Sequence, residues 1–114
     1  MNIDDATRLR HMLEAAQTAL EFAQGKSRES LNDNKMLVFA LVRAVEIIGE
    51  AAANITGEFR AKHPQISWPQ IVGMRNRLIH AYFYVDLNQV WTTVTNDLPP
   101  LIAELEKIVA SESE

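Results

Sequence analysis

Apolar residues recur every three or four positions in two long stretches of the first half of the chain. Over residues 4–24 this spacing predicts an amphipathic helix that stops at Gly25. A second stripe, over residues 34–59, keeps one face for about six or seven turns and predicts a long central helix capped by Asn32 or Asp33. Small residues on this helix would let neighbouring helices approach closely. They are Ala40, Ala44, Gly49, Ala51, Ala52 and Ala53.

A third helix is predicted to start near Trp68. Ser67 followed by Gln70 matches a capping box, and Pro69 falls in the first turn, where its missing N–H costs least. This helix would carry residues 75–80 in its second half and end somewhere within residues 81–85.

A fourth helix is predicted from Asp86, because Asp86 with Gln89 is a further cap signal. Pro99 and Pro100 would kink or split this helix before it ends near Ala110. No alternating strand pattern survives beyond three or four residues, and there is no internal repeat. We therefore predict an all-α, antiparallel four-helix bundle whose last helix is kinked or split at Pro99 and Pro100.

Composition supports one globular domain, over residues 1–110, with a frayed tail at 111–114. The 114 residues are 47% apolar and 23% charged, with four glycines and four prolines. The absence of cysteine excludes disulfides, a thiol nucleophile and cysteine zinc sites. The acidic start lacks the features of a signal peptide, and no apolar run reaches the ~18 residues of a membrane span. These features predict a soluble cytoplasmic protein with no membrane association.

Charge reverses locally in the third quarter of the chain. The net charge is -4, yet residues 60–85 contain four basic residues and no acidic one. The acidic balance argues against broad, non-specific binding to duplex nucleic acid. It leaves room for a small positive site within residues 60–85, where any polyanion would be handled.

The side chains in that stretch that could do chemistry are Arg75, Asn76, Arg77, His80 and Tyr82. On a continuous helix Arg75 and His80 would point about 140° apart and differ by roughly 7.5 Å in height, whereas Arg75 and Tyr82 would share a face. One chain would therefore not close Arg75 and His80 around one small ligand atom. Two such helices meeting across a two-fold axis would gather four cationic or imidazole groups in one cleft, which makes a homodimer a requirement of the chemistry.

Such a cleft could cleave RNA without a metal. The 2'-OH is the nucleophile, so the reaction needs a base, an acid for the 5'-oxygen and a cation for the phosphorane charge. His80 could serve as base or acid, Arg75 as the clamp, and Asn76 could hold a phosphate oxygen or orient the histidine. From spacing alone, the structural interpretation is favoured, in which Arg75 and Arg77 are surface charges and His80 is a satisfied histidine near a helix end.

The remaining titratable residues add little. Glu46 and Glu50 lie one turn apart, on a solvated face or with one of them orienting the histidine or arginine of the site. His11 and His63 have no partner at metal-ligand spacing, and there is no glycine-rich phosphate loop. No metal and no cofactor is predicted.

Residues 74–86 have the sequence Met-Arg-Asn-Arg-Leu-Ile-His-Ala-Tyr-Phe-Tyr-Val-Asp. This segment resembles the signature of the HEPN superfamily, and specifically of the HepT toxin family, whose motif is Arg, four residues, His, any residue, Tyr. The resemblance extends to residues 46–52, to Trp68 with residues 71–74, and to residues 90–99, so it covers most of the chain from about residue 9 to 108.

The resemblance implies an all-helical homodimer that acts as a metal-independent endoribonuclease. It would be the toxin of a type VII-like toxin–antitoxin system, whose partner is an MntA-like minimal nucleotidyltransferase. Arg75 and His80 match the catalytic pair, Asn76 matches the polar residue after the arginine, and Tyr82 matches the tyrosine to which the antitoxin adds AMP. An adduct beside Arg75 and His80 would block the cleft by charge and bulk.

An alternative remains open, because HEPN domains include members without nuclease activity. The chain could be a non-catalytic binding module that associates with a nucleotidyltransferase and presents substrate or nucleotide to it. A third possibility is a purely structural dimer, in which Tyr82 is never modified.

Overall fold

The computed structural model describes residues 4–81 and 84–112. Their elements in chain order are α1 (Asp5–Ala23), α2 (Ser30–Asp33), α3 (Lys35–Ala53), α4 (Gly57–Lys62), α5 (Trp68–Val72), α6 (Met74–Leu78), β1 (Ile79–Ala81), β2 (Tyr84–Val85), α7 (Leu87–Thr92), a π-helix (Thr93–Asp97) and α8 (Leu98–Glu112).

The first predicted helix is confirmed as α1. Asp4 caps it, because its Oδ1 accepts a hydrogen bond from the Thr7 amide at 2.8 Å. Just beyond its end Gly25 has a φ of 75°, a left-handed conformation that glycine adopts without strain.

The long central helix, α3, differs from its prediction at both ends. Residues 30–33 form the short helix α2, so the cap is Asn34, which accepts from the Leu37 amide at 3.0 Å, rather than Asn32 or Asp33. The helix ends at Ala53 instead of near Phe59. Thr56 starts the separate helix α4 by capping the Phe59 amide, while Asp5 binds the Thr56 amide at 3.0 Å and its hydroxyl at 2.7 Å.

The third predicted helix is not continuous. It consists of α5 and α6, which meet at Gly73, and the helical path ends at Leu78. The capping box predicted at Ser67 is wrong, because the serine side chain makes no capping bond. Buried Trp68 fixes this helix start instead, with its indole N–H donating to the His63 carbonyl at 3.0 Å.

A short antiparallel hairpin follows, whose strands of three and two residues stay within the limit of three or four residues that the sequence set on any strand pattern. Ile79 pairs with Val85 and Ala81 with Tyr84, and the register shifts between Ile79 and Ala81, which leaves His80 at the irregularity. Extended backbone suits the β-branched and aromatic residues of this stretch.

The fourth helical segment starts at the predicted cap and is interrupted before the two prolines. Asp86 Oδ1 accepts from the Gln89 amide at 3.0 Å. The π-helix then separates α7 from α8, whose first turn contains Pro99 and Pro100. Since neither proline has an N–H to donate, the i→i−4 ladder cannot pass unbroken through this point. Helix α8 continues to Glu112, two residues beyond the predicted end.

Helices α1, α3 and α8, together with the π-helix, enclose the core and confirm the predicted all-α helical bundle. The contact of Asp5, at the start of α1, with Thr56, beyond the end of α3, shows that these two helices are antiparallel. Gly49 permits a close approach between α3 and α5, because a Cβ there would lie 3.2 Å from the Val72 carbonyl oxygen. No described helix is long and apolar enough to cross a membrane.

Candidate active site

Helix α6 presents three of the predicted site residues to solvent. Met74 and Leu78, four residues apart, are buried and anchor the helix. Arg75, Asn76 and Arg77 lie between them on the exposed side. The polar residues of the motif are therefore held on a short, well-anchored helix.

Arg75 is oriented by an acid from the central helix. Its Nε donates to Glu46 Oε2 at 2.8 Å, and the Arg75 side chain remains 47% exposed. The contact uses only Nε, so both terminal nitrogens of the guanidinium can bind a phosphate in the two-pronged geometry typical of arginine. Of the two candidate acids, Glu46 and Glu50, Glu46 is thus the one that contacts Arg75.

Glu50 lies one turn after Glu46 on α3 but does not contact Arg75. Arg43 lies 3.7 Å from Glu46 and 3.2 Å from Glu50, which links the two acids on the surface of α3. An open groove of about 430 Å³ between α3, α5 and α6 is lined by residues that include Glu46, Glu50 and Arg75.

His80 lies on β1 rather than on a helix. The predicted angle and height difference between Arg75 and His80 are therefore wrong, because the helix ends at Leu78. Within the described residues, no hydrogen bond or ion pair joins His80 to Arg75. His80 Nε2 lies 3.0 Å from Asp86 Oδ2, and its ring centroid lies 5.6 Å from that of Tyr84.

Asp86, predicted from the sequence only as a helix cap, contacts the imidazole of His80. The hydrogen bond with His80, together with that from the Gln89 amide, holds the pKa of the Asp86 carboxyl below its usual value. Because folding lowers this pKa, the contact contributes stability above the unfolded-state value of about 3.9 and loses it as the pH falls through the lower folded-state value.

The two other candidates have simpler surroundings. Arg77 lies 4.0 Å from Asp97 and donates weakly to the Gln70 carbonyl at 3.5 Å. The side chain of Asn76 is exposed and makes no hydrogen bond to any described residue. Tyr82, the predicted AMP acceptor, lies outside the described residues.

The positive stretch of the sequence is thus partly neutralised in three dimensions. Arg75, Arg77 and His80 each face an acid contributed by another part of the chain: Glu46, Asp97 and Asp86. No group of three or more His, Asp or Glu residues that could hold a metal ion occurs in the part of the chain that the structure describes.

The family model and the related proteins that match this chain point to the same family. The family model described as ribonuclease HepT-like matches residues 12–108. The chain is 42% identical over 100 residues to "Probable ribonuclease HepT" of Thermococcus cleftensis, covering 88% of this chain and 91% of that protein. It is 41% identical over 95 residues to a protein of Methanocaldococcus jannaschii named "Putative RNase", covering 83% and 87%. No solved structure matches the chain significantly.

Proposed function

This chain belongs to the ribonuclease HepT-like family, and from that premise we propose that it is a metal-independent endoribonuclease whose active site is shared by two copies of the chain. The proposal rests on the exposure and the hydrogen bonding of the two motif side chains, Arg75 and His80. Arg75 and His80 are both exposed, and each is held by a carboxylate through one nitrogen. The terminal nitrogens of Arg75 and the Nδ1 of His80 are therefore available to RNA.

The chemistry follows from these free atoms. One His80 accepts the proton of the 2'-OH, and the 2'-oxygen forms a bond to phosphorus. Arg75 stabilises the charge of the phosphorane. The bond from phosphorus to the 5'-oxygen then breaks, and the second His80, protonated, donates a proton to that oxygen. The products are a 2',3'-cyclic phosphate and a free 5'-OH, and Asn76 and Arg77 are placed to hold phosphate oxygens nearby.

This mechanism predicts that cleavage depends on the 2'-OH of the substrate. We expect the protein to cleave a single-stranded RNA in the presence of EDTA and to leave the same strand intact when every ribose is replaced by deoxyribose. Mass spectrometry of the fragments should find a cyclic phosphate. Cleavage of the deoxy strand, or activity that EDTA abolishes, would contradict the mechanism.

An exposed apolar face supports the homodimer. Phe39 is 66% exposed and Met36 83% exposed on α3, and Phe22 on α1 is 44% exposed. Phe22 also lines a groove of about 400 Å³ between α1 and α3, whose α3 side includes Ala40, Ala44 and Ile47. The same helix face continues through Arg43 to Glu46, so a second copy seated there would lie close to Arg75.

Phe39→Asp tests this dimer surface. We expect light scattering after gel filtration to give twice the 12.9 kDa chain mass for the native protein and a single chain mass for the variant, because a charge at the centre of an apolar contact is costly to bury. RNA cleavage by the variant should also fall, because the proposed active site needs the dimer. Ala103→Asp, on the exposed side of α8, adds the same charge elsewhere and should stay dimeric. A Phe39→Asp variant that stays dimeric would show that another surface is used.

The cellular role that the family resemblance supports is that of a toxin. A partner nucleotidyltransferase would silence it by adding AMP to Tyr82, in the chain segment that joins β1 to β2. That segment connects the strand of His80 to the strand of Tyr84, whose exposed ring lies against the imidazole. Because Tyr82 is two residues from His80 in the sequence, an adduct there would bring a phosphate and an adenosine within reach of the imidazole.

A further inference from the structure

We propose that Asp86 is a positioning residue for His80: it holds the imidazole through Nε2 and so makes Nδ1 the nitrogen that exchanges protons with RNA. The inference rests on the proposed function, because it takes His80 to be the base and acid. It goes beyond that function by naming the reacting nitrogen and the group that selects it.

Asp86 is fixed at three points. Its backbone N–H donates to the Leu78 carbonyl at 2.7 Å, next to the hairpin. One carboxylate oxygen, Oδ1, accepts from the Gln89 amide and caps α7, and the other, Oδ2, contacts His80 Nε2. Leu78 is fully buried, which ties this arrangement to the core. The carboxylate cannot turn away from His80 without uncapping α7.

This contact selects one tautomer of the neutral ring. An ionised carboxylate only accepts hydrogen bonds, so the proton of neutral His80 must lie on Nε2. Asp86 stays ionised at neutral pH, in keeping with its lowered pKa. The lone pair is then on Nδ1, which makes no hydrogen bond to any described residue, and the Tyr84 ring lies 5.6 Å from the imidazole, centroid to centroid.

Helix capping alone does not explain an aspartate at position 86. A cap needs one acceptor oxygen, and Asn34 and Thr56 supply it for α3 and α4 without a carboxylate. Asp4 caps α1 through one oxygen and has no histidine partner. What distinguishes Asp86 is the second oxygen, which is directed at His80.

The variant Asp86→Asn separates the two roles. The amide oxygen of asparagine can still cap α7, since asparagine and aspartate are comparable at this position. Its NH₂ group would then face Nε2 and donate to it, which moves the ring proton to Nδ1, the atom that must accept a proton from the 2'-OH. We expect RNA cleavage to fall by at least about 100-fold, within the range of acid–base catalysis and of the analogous change in a Ser-His-Asp triad.

Asp4→Asn is the matched control, because it makes the same change at another helix cap, with no histidine partner. It should cleave RNA at the native rate. The second readout is the tautomer of His80, measured from the ¹⁵N shifts of its neutral ring. The native protein and Asp4→Asn should carry the proton on Nε2, and Asp86→Asn should carry it on Nδ1.

Three results would overturn the inference. Asp86→Asn could cleave RNA as fast as Asp4→Asn, or it could keep the native tautomer. It could also lose activity only in proportion to a loss of folded protein, measured by circular dichroism. These failures differ from a failure of the proposed function, which would appear as native-like cleavage by His80→Ala.

Discussion

Replacing His80 by alanine lowers the rate of RNA cleavage by about 10³- to 10⁴-fold in the homodimer, because the change removes both the base and the acid of the proposed reaction. Arg75→Ala lowers it by about 10²- to 10³-fold, the usual effect of losing one group that stabilises charge in the transition state. Arg75→Lys should recover only part of the loss, since lysine keeps the charge but lacks the planar two-pronged donor. Single-turnover cleavage of a labelled RNA would measure all three.

The variants should fold normally. The Arg75 side chain is 47% exposed and that of His80 is 56% exposed, so neither substitution leaves a cavity in the core. Arg10→Ala, which removes an exposed charge from α1, controls for loss of general electrostatic attraction and should change the rate by less than about threefold. Native-like cleavage by both Arg75→Ala and His80→Ala would leave the non-catalytic binding module as the better interpretation of the chain.

The bundle was predictable where apolar periodicity is strong. Helix α1 and the body of α3 follow directly from stripes that face one core, and the cap at Asp86 follows from its spacing to Gln89. Helix α6 ends at Leu78, before the predicted end within residues 81–85. Ile79, Tyr84 and Val85, which are β-branched or aromatic, were the signal for the two short strands.

The candidate motif residues can be named from the sequence, but their surroundings in the folded chain cannot. Sequence spacing could not distinguish Glu46 from Glu50, since the contact of Glu46 with Arg75 depends on how closely α3 packs against α5 and α6 near Gly49. The pairing of Asp86 with His80 depends on the hairpin, which brings positions six residues apart together. Local patterns identify caps and helix faces, whereas these contacts arise from tertiary packing.

Tyr82→Phe should give a protein that cleaves RNA normally but can no longer be silenced. We expect the native chain, expressed with a nucleotidyltransferase partner and ATP, to gain the mass of one or more AMP units at Tyr82 and to lose cleavage activity. The phosphodiester of the adduct carries a negative charge that would compete with RNA phosphate for the free nitrogens of Arg75, and the nucleoside would fill the cleft. In cells, Tyr82→Phe should therefore arrest growth even when the partner is present.

Tyr84→Phe is the control, because it removes a hydroxyl two residues further along the chain. Tyr84 is 55% exposed and its ring lies near that of His80, so its hydroxyl is open to a modifying enzyme. If Tyr82 is the acceptor, Tyr84→Phe is modified and silenced like the native chain, and peptide mapping finds the adduct at Tyr82 alone. An adduct at Tyr84 would transfer the acceptor role to that residue. A stable complex that never forms an adduct would contradict silencing by AMP addition, since binding of the partner would then have to block the cleft directly.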